Sequence, residues 1–373
     1  MDVERCTFSR DSRILDPDAL LEVCTCLITI TPGENPSGDM NFFNVQLAHY
    51  TVKEYLVSDR ISRGSAAIFQ MSTESANVFV AKCFLTYMLN ENYDLPEPSE
   101  STYAVRLIDV VMRHWTRLVR EIELYAARTV VMALVLRLLD TTRPHFQDWV
   151  AAGTYDNGTI PEWIVMPGCE PCLTLAYLCY FEFFETAKQF VENLSEPVPF
   201  ETEIKLVSSF EDFGGEWSYK RKRIDGVEGK LLHIAASMGN ILFAKYFLEK
   251  GADINAVSAK GLSVLGSAVS SGWLSRRTPK YQLGVVELLL ENGADPNLSN
   301  VSVTPLQRII SKLCNSFNEN ITVAIAIKLL EFRADINKVG DDERNIARTL
   351  IFLEDFPVKN HEAERLATIL KTS

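Results

Sequence analysis

A five-residue motif recurs near the end of the chain as Gly-Ala-Asp-Ile-Asn at 251–255, Gly-Ala-Asp-Pro-Asn at 293–297 and Arg-Ala-Asp-Ile-Asn at 333–337. Each copy follows an apolar run of helical period: LFAKYFLEK, VVELLLEN and AIAIKLLEF. Upstream of each run lies a shorter helical pattern: LLHIAASMGN, VLGSAVSSGW and TPLQRIISKL. One helix pair with a turn cannot bury its own apolar face, so the recurrence requires neighbouring pairs to stack. Gly251 and Gly293 fall where the second helix must end with positive φ, a conformation that glycine adopts at little cost. Asp253 with Asn255, and Asp295 with Asn297, supply acceptors that close the following turn. The small pair Ala235 and Ala236 lets its helix approach the next pair closely, and Thr304–Pro305 reads as a capping hydroxyl followed by proline at the first helical position. Leu232 and Leu265 are 33 residues apart, whereas Leu265 to Leu306 spans 41 and Leu306 to Ile346 spans 40. The excess lies in SRRTPKYQL and CNSFNENIT, which predicts long helix–helix loops at 273–284 and 313–322.

This unit resembles the ankyrin repeat, two antiparallel helices and a β-turn finger, and the 33-residue spacing is the ankyrin period. The fold class expected is mainly α, with an ankyrin solenoid over 168–373. Within it we expect repeats at 228–260, 261–301 and 302–340, and a closing repeat at 341–373 that shields the last apolar face. Residues 171–193, PCLTLAYLCYFEFFETAKQFVEN, have the same two-helix rhythm and read as a degenerate first repeat, with Tyr180 standing where Gly239 and Gly272 stand. Residues 194–227 read as a linker. His233 holds the ankyrin position at which histidine hydrogen-bonds between adjacent repeats, a structural role.

Ahead of the solenoid, residues 64–167 form a helical region. ANVFVAKCFLTYML, VRLIDVVMRHWTRLVREIEL and ARTVVMALVLRLL carry helical periodicity. Residues 1–63 read as helix, strand, turn, strand, helix: DPDALLEVCTCLITIT, then PGENPSGD, then FFNVQLAHYTVKEYLVSD. This is the order of the second half of a winged-helix module. The stretches LLEVCTCLITI and QLAHYTVKEYLVSD resemble the winged-helix segment that follows the nucleotide-binding domain in fungal NACHT–ankyrin proteins, and the likeness runs on through RHWTRLVR into the ankyrin repeats. That family implies an ATPase with a phosphate-binding loop upstream. Here the Gly-x4-Gly spacing Gly33 to Gly38 is followed by Asp39 and Met40 instead of Lys and Ser/Thr, so ATP binding is not expected.

Other chemistry finds little support in the residues. A formal net charge of −12 disfavours contact with phosphate backbones and anionic lipid, and the greasiest run, Val130 to Leu139, is too short to span a bilayer. No apolar segment opens the chain and its eight cysteines lack framework spacing, so reduced thiols inside the cell are expected. Cys169 and Cys172 have no second pair or nearby histidine to complete a zinc site. We expect no catalytic, cofactor-binding or metal-binding residues. An enzyme site in the helical middle, drawing on His114, Glu121, Glu123 and His145, is the outlying alternative. His49 reads as a packed or capping residue at a strand–helix junction.

The function expected is therefore protein–protein interaction and regulation. Trp273, Arg276, Arg277, Tyr281 and Phe317, in the two long loops, are candidate partner anchors, since aromatic residues and Arg dominate binding hot spots. Lys220, Arg221, Lys222 and Arg223 form the one concentrated basic run and a candidate nuclear-import signal. Two variants follow: a nuclear coregulator that binds other proteins without sequence-specific contact to DNA, and a cytoplasmic sensor arm related to NACHT-type defence or incompatibility receptors.

Overall fold

The computed structural model describes residues 28–33, 42–47, 49–65, 67–89, 107–125, 128–143, 146, 149–150, 163–164, 169–206, 229–270, 279–298, 303–313, 319–335 and 366. The chain divides into two compact units, Met1–Leu138 and Leu139–Ser373.

In the first unit, β1 (Ile28–Gly33) pairs antiparallel with β2 (Phe42–Leu47), in a register that sets Ile28 opposite Leu47 and Gly33 opposite Phe42. Gly33 thus ends a hairpin strand, not a strand running into a phosphate-binding helix. Helix α1 (Tyr50–Leu56) follows directly, and His49 caps it by accepting the Thr51 amide on Nδ1 at 3.3 Å. A short α2 (Asp59–Ser62) comes next. The expected helix before β1 lies outside the described residues. Three longer helices then form the unit's core: α3 (Thr73–Met88), α4 (Leu107–Ile122) and α5 (Thr129–Leu138). Helix α3 packs on α4 and α5, burying Leu85, Met88, Trp115, Val119, Val131 and Val135. Its start is fixed by a reciprocal capping box between Ser72 and Ser75.

The second unit is built from helix pairs. The inner helices are α6 (Glu170–Phe181), α8 (Leu231–Ser237), α10 (Val264–Ser270) and α12 (Pro305–Leu313). The outer helices are α7 (Phe184–Glu192), α9 (Ile241–Glu249), α11 (Pro279–Glu291) and α13 (Glu319–Glu331). Each inner helix packs against the next, from α6 through α12, and α9, α11 and α13 do the same on the outer side. The first pair is tied in by aromatic contacts, Phe184 meeting Phe243 at 5.4 Å and Tyr246 at 5.7 Å between ring centroids. Alternating inner and outer contacts of this kind make a solenoid, in which each repeat is stabilised by its neighbours.

The sequence signals at the repeat ends work as expected. Gly251 and Gly293 have φ of 94° and 92°. Thr304 caps α12 with its hydroxyl accepting the Gln307 amide at 3.3 Å, while the Gln307 side chain accepts the Thr304 amide at 2.6 Å. At the third motif Arg333 stands in the same left-handed turn, with φ 64°. A side chain there costs about 1 kcal/mol relative to glycine. Arg333→Gly is therefore expected to raise stability by about 1 kcal/mol in urea titration, since the turn bonds of Arg333, from its amide to the Leu330 carbonyl and from Asn297 to its own carbonyl, use the backbone and survive the change.

Three local expectations need revision. In the first pair the left-handed position is Glu182, φ 66°, and not Tyr180, because α6 runs on to Phe181 before the turn closes. The amides of Glu182 and Phe183 bond back to Cys179 and Leu178 just as those of Gly239 and Asn240 bond back to Ala236 and Ala235. The loop expected over 273–284 is already helical from Pro279, as proline at the first helical position favours, and the loop expected over 313–322 is helical to Leu313 and again from Glu319.

Candidate functional site

The fingers between repeats are linked to one another. Within a finger, Asp253 Oδ1 accepts the Asn255 amide at 2.9 Å, and Asp295 Oδ1 accepts the Asn297 amide at 2.8 Å. Between fingers, Asn255 Oδ1 accepts the Asp295 amide at 2.8 Å and Asn297 Oδ1 accepts the Asp335 amide at 2.6 Å. Asn297 also donates to the Arg333 carbonyl at 3.1 Å. The Asp closes its own turn and the Asn reaches the next one, so the exposed tips form a row of fixed spacing.

The row starts upstream of the first recognisable motif. Glu201 Oε1 accepts the Asp253 amide at 3.1 Å, taking the role that Asn plays further along, and Glu203 accepts the Ala259 amide at 2.8 Å. Glu201 is held by Lys230 at 2.6 Å, and Ile204 bridges Gly229 through paired backbone bonds. Residues 198–206, read from the sequence as linker, thus supply a finger to the first pair. Burial opposes ionisation of Glu201, but the hydrogen bonds from Lys230 and the Asp253 amide outweigh it and hold the carboxyl below its usual range.

His233 lies beneath this row, fully buried, with Nε2 3.0 Å from the Leu262 carbonyl of the following finger. That acceptor requires the Nε2–H tautomer. Burial, aided by the Lys230 charge, pushes the imidazole down to about 4. It is a neutral brace between repeats, as expected, and not a proton donor near neutral pH. Gly229 turns beside it with φ 117°, and a Cβ there would meet His233 and Ser258 atoms at 3.1 Å. Gly229→Ala is expected to cost about 2 kcal/mol or more, measured as a fall in the urea midpoint.

Of the residues singled out as partner anchors, Tyr281 is described. It lies on α11 and is exposed, and its Cβ stands 3.5 Å from where a Cβ on Gly239 would be, over the turn joining α8 to α9. It belongs to the helix-turn side of the stack, away from the fingers. Trp273, Arg276, Arg277 and Phe317 lie outside the described residues, as do Lys220, Arg221, Lys222 and Arg223.

The residues considered for chemistry are dispersed. His114 is exposed on α4, while Glu121 pairs with Arg117 at 3.1 Å and accepts from Asn77 at 3.2 Å. Glu123 is buried and His145 lies outside the described residues. Cys172 is buried at the start of α6 with its thiol against the Pro199 carbonyl at 3.3 Å, and burial pushes it up to about 11, the state of an inert packed thiol. Among the described residues no three His, Cys, Asp or Glu gather as metal ligands, and no helix is long and apolar enough to cross a membrane.

Comparison with known proteins agrees with the repeat geometry. Residues 206–300 match the family model described as ankyrin repeats in three copies. A protein named azaphilone pigments biosynthesis cluster protein L, from Monascus ruber, is 32% identical over 80 residues. That match covers 21% of this chain and 16% of the other protein's length. Ankyrin repeats are thus present by sequence model as well as by packing, and they support a role in protein–protein interaction.

Proposed function

We propose that this chain is a non-enzymatic regulatory docking protein whose ankyrin stack binds other proteins through its finger tips and inner-helix face. The observation that carries the reading is the hydrogen-bonded row from Glu201 through Asn255 and Asn297. It fixes exposed tips against one another, so a partner docks without first ordering them, and a preorganised surface loses less entropy on binding. The stack's larger apolar residues are mostly spent inside it, and the tips display polar side chains that set specificity more than bulk affinity.

A photo-crosslinking residue at Ala259, an exposed tip position, is expected to form discrete adducts with a partner in extracts of the source cell. The same residue at Lys245, on the outer helix α9, is expected to form none. Equal labelling from both positions, or from Lys245 alone, would contradict the docking face.

The nuclear form of this reading, a coregulator that contacts other proteins and not DNA, draws its support from the basic run Lys220–Arg223 in an otherwise acidic chain. Replacing all four by alanine should move a tagged chain from nucleus to cytoplasm. An unchanged distribution removes the import signal from the account. The alternative, a sensor arm related to NACHT-type receptors, draws on the β1–β2 hairpin running directly into α1, the order of a winged-helix module's second half. In that reading the protein acts beside a separate ATPase, and purified chain takes up no ATP in calorimetry.

A further inference from the structure

The inner helices carry hydrogen-bond donors that the stack itself leaves unused. Counting from Leu265 and Leu306, Ser267 and Arg308 hold equivalent positions on α10 and α12, two helices that pack together. Ser267 is 3% exposed and its hydroxyl has no hydrogen-bond partner; Arg308 Nε is also buried without one. One turn beyond Arg308, Lys312 lays its ammonium on the Val269 carbonyl at the end of α10. Burial first, and then the neighbouring Arg308 charge, push Lys312 down to about 8. Helix α10 has no charged residue to answer the Arg308 guanidinium, and on α13 Glu331 is engaged with Lys328 at 3.5 Å.

A half-buried guanidinium loses hydration and normally recovers it through a carboxylate or phosphate, for which its planar fork is shaped. We infer that Arg308, with Lys312 beside it on the α10–α12 seam, forms a seat for a carboxylate from an acidic segment of the partner protein. The inference rests on the docking reading above and names the chemistry of what docks. A polyanionic nucleic acid fits less well, because the chain's formal net charge of −12 repels a long phosphate backbone but tolerates a single paired carboxylate. Arg308 Nε makes no hydrogen bond among the described residues, so Arg308→Met, which keeps the apolar stem, is expected to leave stability nearly unchanged.

The test uses the intact chain and a short fluorescein-labelled peptide of alternating Glu and Ala, with a Lys/Ala peptide as control, followed by anisotropy at low salt. Wild type is expected to bind the acidic peptide in preference to the basic one. Arg308→Met should weaken that binding about tenfold or more with an unchanged melting temperature, and Lys245→Met on the outer face should leave it unaltered. Arg308→Glu should reverse the preference. Equal affinity in wild type and Arg308→Met, a preference of wild type for the basic peptide, or a melting temperature that falls in Arg308→Met would overturn the seat. If the Ala259 adduct persists at full yield in Arg308→Met, the docking face stands and the carboxylate seat falls.

Discussion

Acidification from pH 7 to pH 4 is expected to cost the repeat unit about 3 kcal/mol through His233 alone. In the folded chain burial holds this imidazole neutral down to about 4, while in the unfolded chain it protonates near 6.5. Between those values the unfolded state binds more protons, so stability falls as pH falls, by about 1.4 kcal/mol per unit, and the loss is complete below pH 4. Lys230 and Glu201 are the charged groups acting on the ring; the ammonium opposes its protonation and the carboxylate favours it. Glu201 and Asp140, both held below the usual carboxylate range, add a further loss at the acid end of the window as they protonate. Urea midpoints at successive pH values check this. His233→Gln, which cannot titrate, should remove most of the slope between pH 6.5 and 4, leaving the carboxylate share at its acid end, while lowering stability at pH 7; an equal slope in both proteins would assign the acid sensitivity elsewhere.

Phe247→Ala is expected to be the most damaging single truncation in the stack. The ring is fully buried on α9 and lies 5.5 Å from Phe243, 5.7 Å from Phe200 and 6.2 Å from Tyr246 between centroids. Emptying that site costs about 3–5 kcal/mol, from lost transfer energy and the cavity left behind. Phe200 belongs to the finger segment that carries Glu201, so the cavity also loosens the start of the polar row. Because solenoid repeats depend on their neighbours, the damage should spread along the stack as a broadened urea transition, not stay within one repeat. Leu242, on the same helix but 57% exposed, serves as the control; its alanine variant should change stability by less than about 0.5 kcal/mol.

The solenoid was legible wherever the backbone itself demanded a residue type. A left-handed helix end wants glycine, and a tight turn wants Asp or Asn two residues apart, so Gly251, Asp253 and Asn255 announced a finger before any contact was known. His233 was legible for a similar reason, since its place in the repeat fixed its role. The bond from one finger to the next was not read, although the same Asn residues make it, because within a single motif Asn255 already has a local explanation.

Elsewhere the residue types gave no sign. Glu201 does the work of an asparagine with a longer side chain reaching from an irregular segment, so residues 198–206 looked like linker. Glu182 sits in a left-handed turn that glycine usually marks, and this moved the expected turn two residues early. Part of the extra length of the later repeats goes into α11 and α13, and at α11 this follows from Pro279 at the first helical position, which spacing alone does not reveal. Arg308 drew no notice at all: a single arginine on a helix reads as an ordinary surface charge until its burial and the lack of a partner for Nε are seen together.

The central claim, that the finger tips and inner helices are the face that meets a protein partner, is tested most directly by amide hydrogen exchange. The crosslinked partner is identified, produced separately and added to the uncrosslinked chain. Exchange is expected to slow at 253–263, along α10 and along α12, and to stay unchanged along α9 and α11. Protection confined to the outer helices, or to the hairpin and α1 of the first unit, would contradict it.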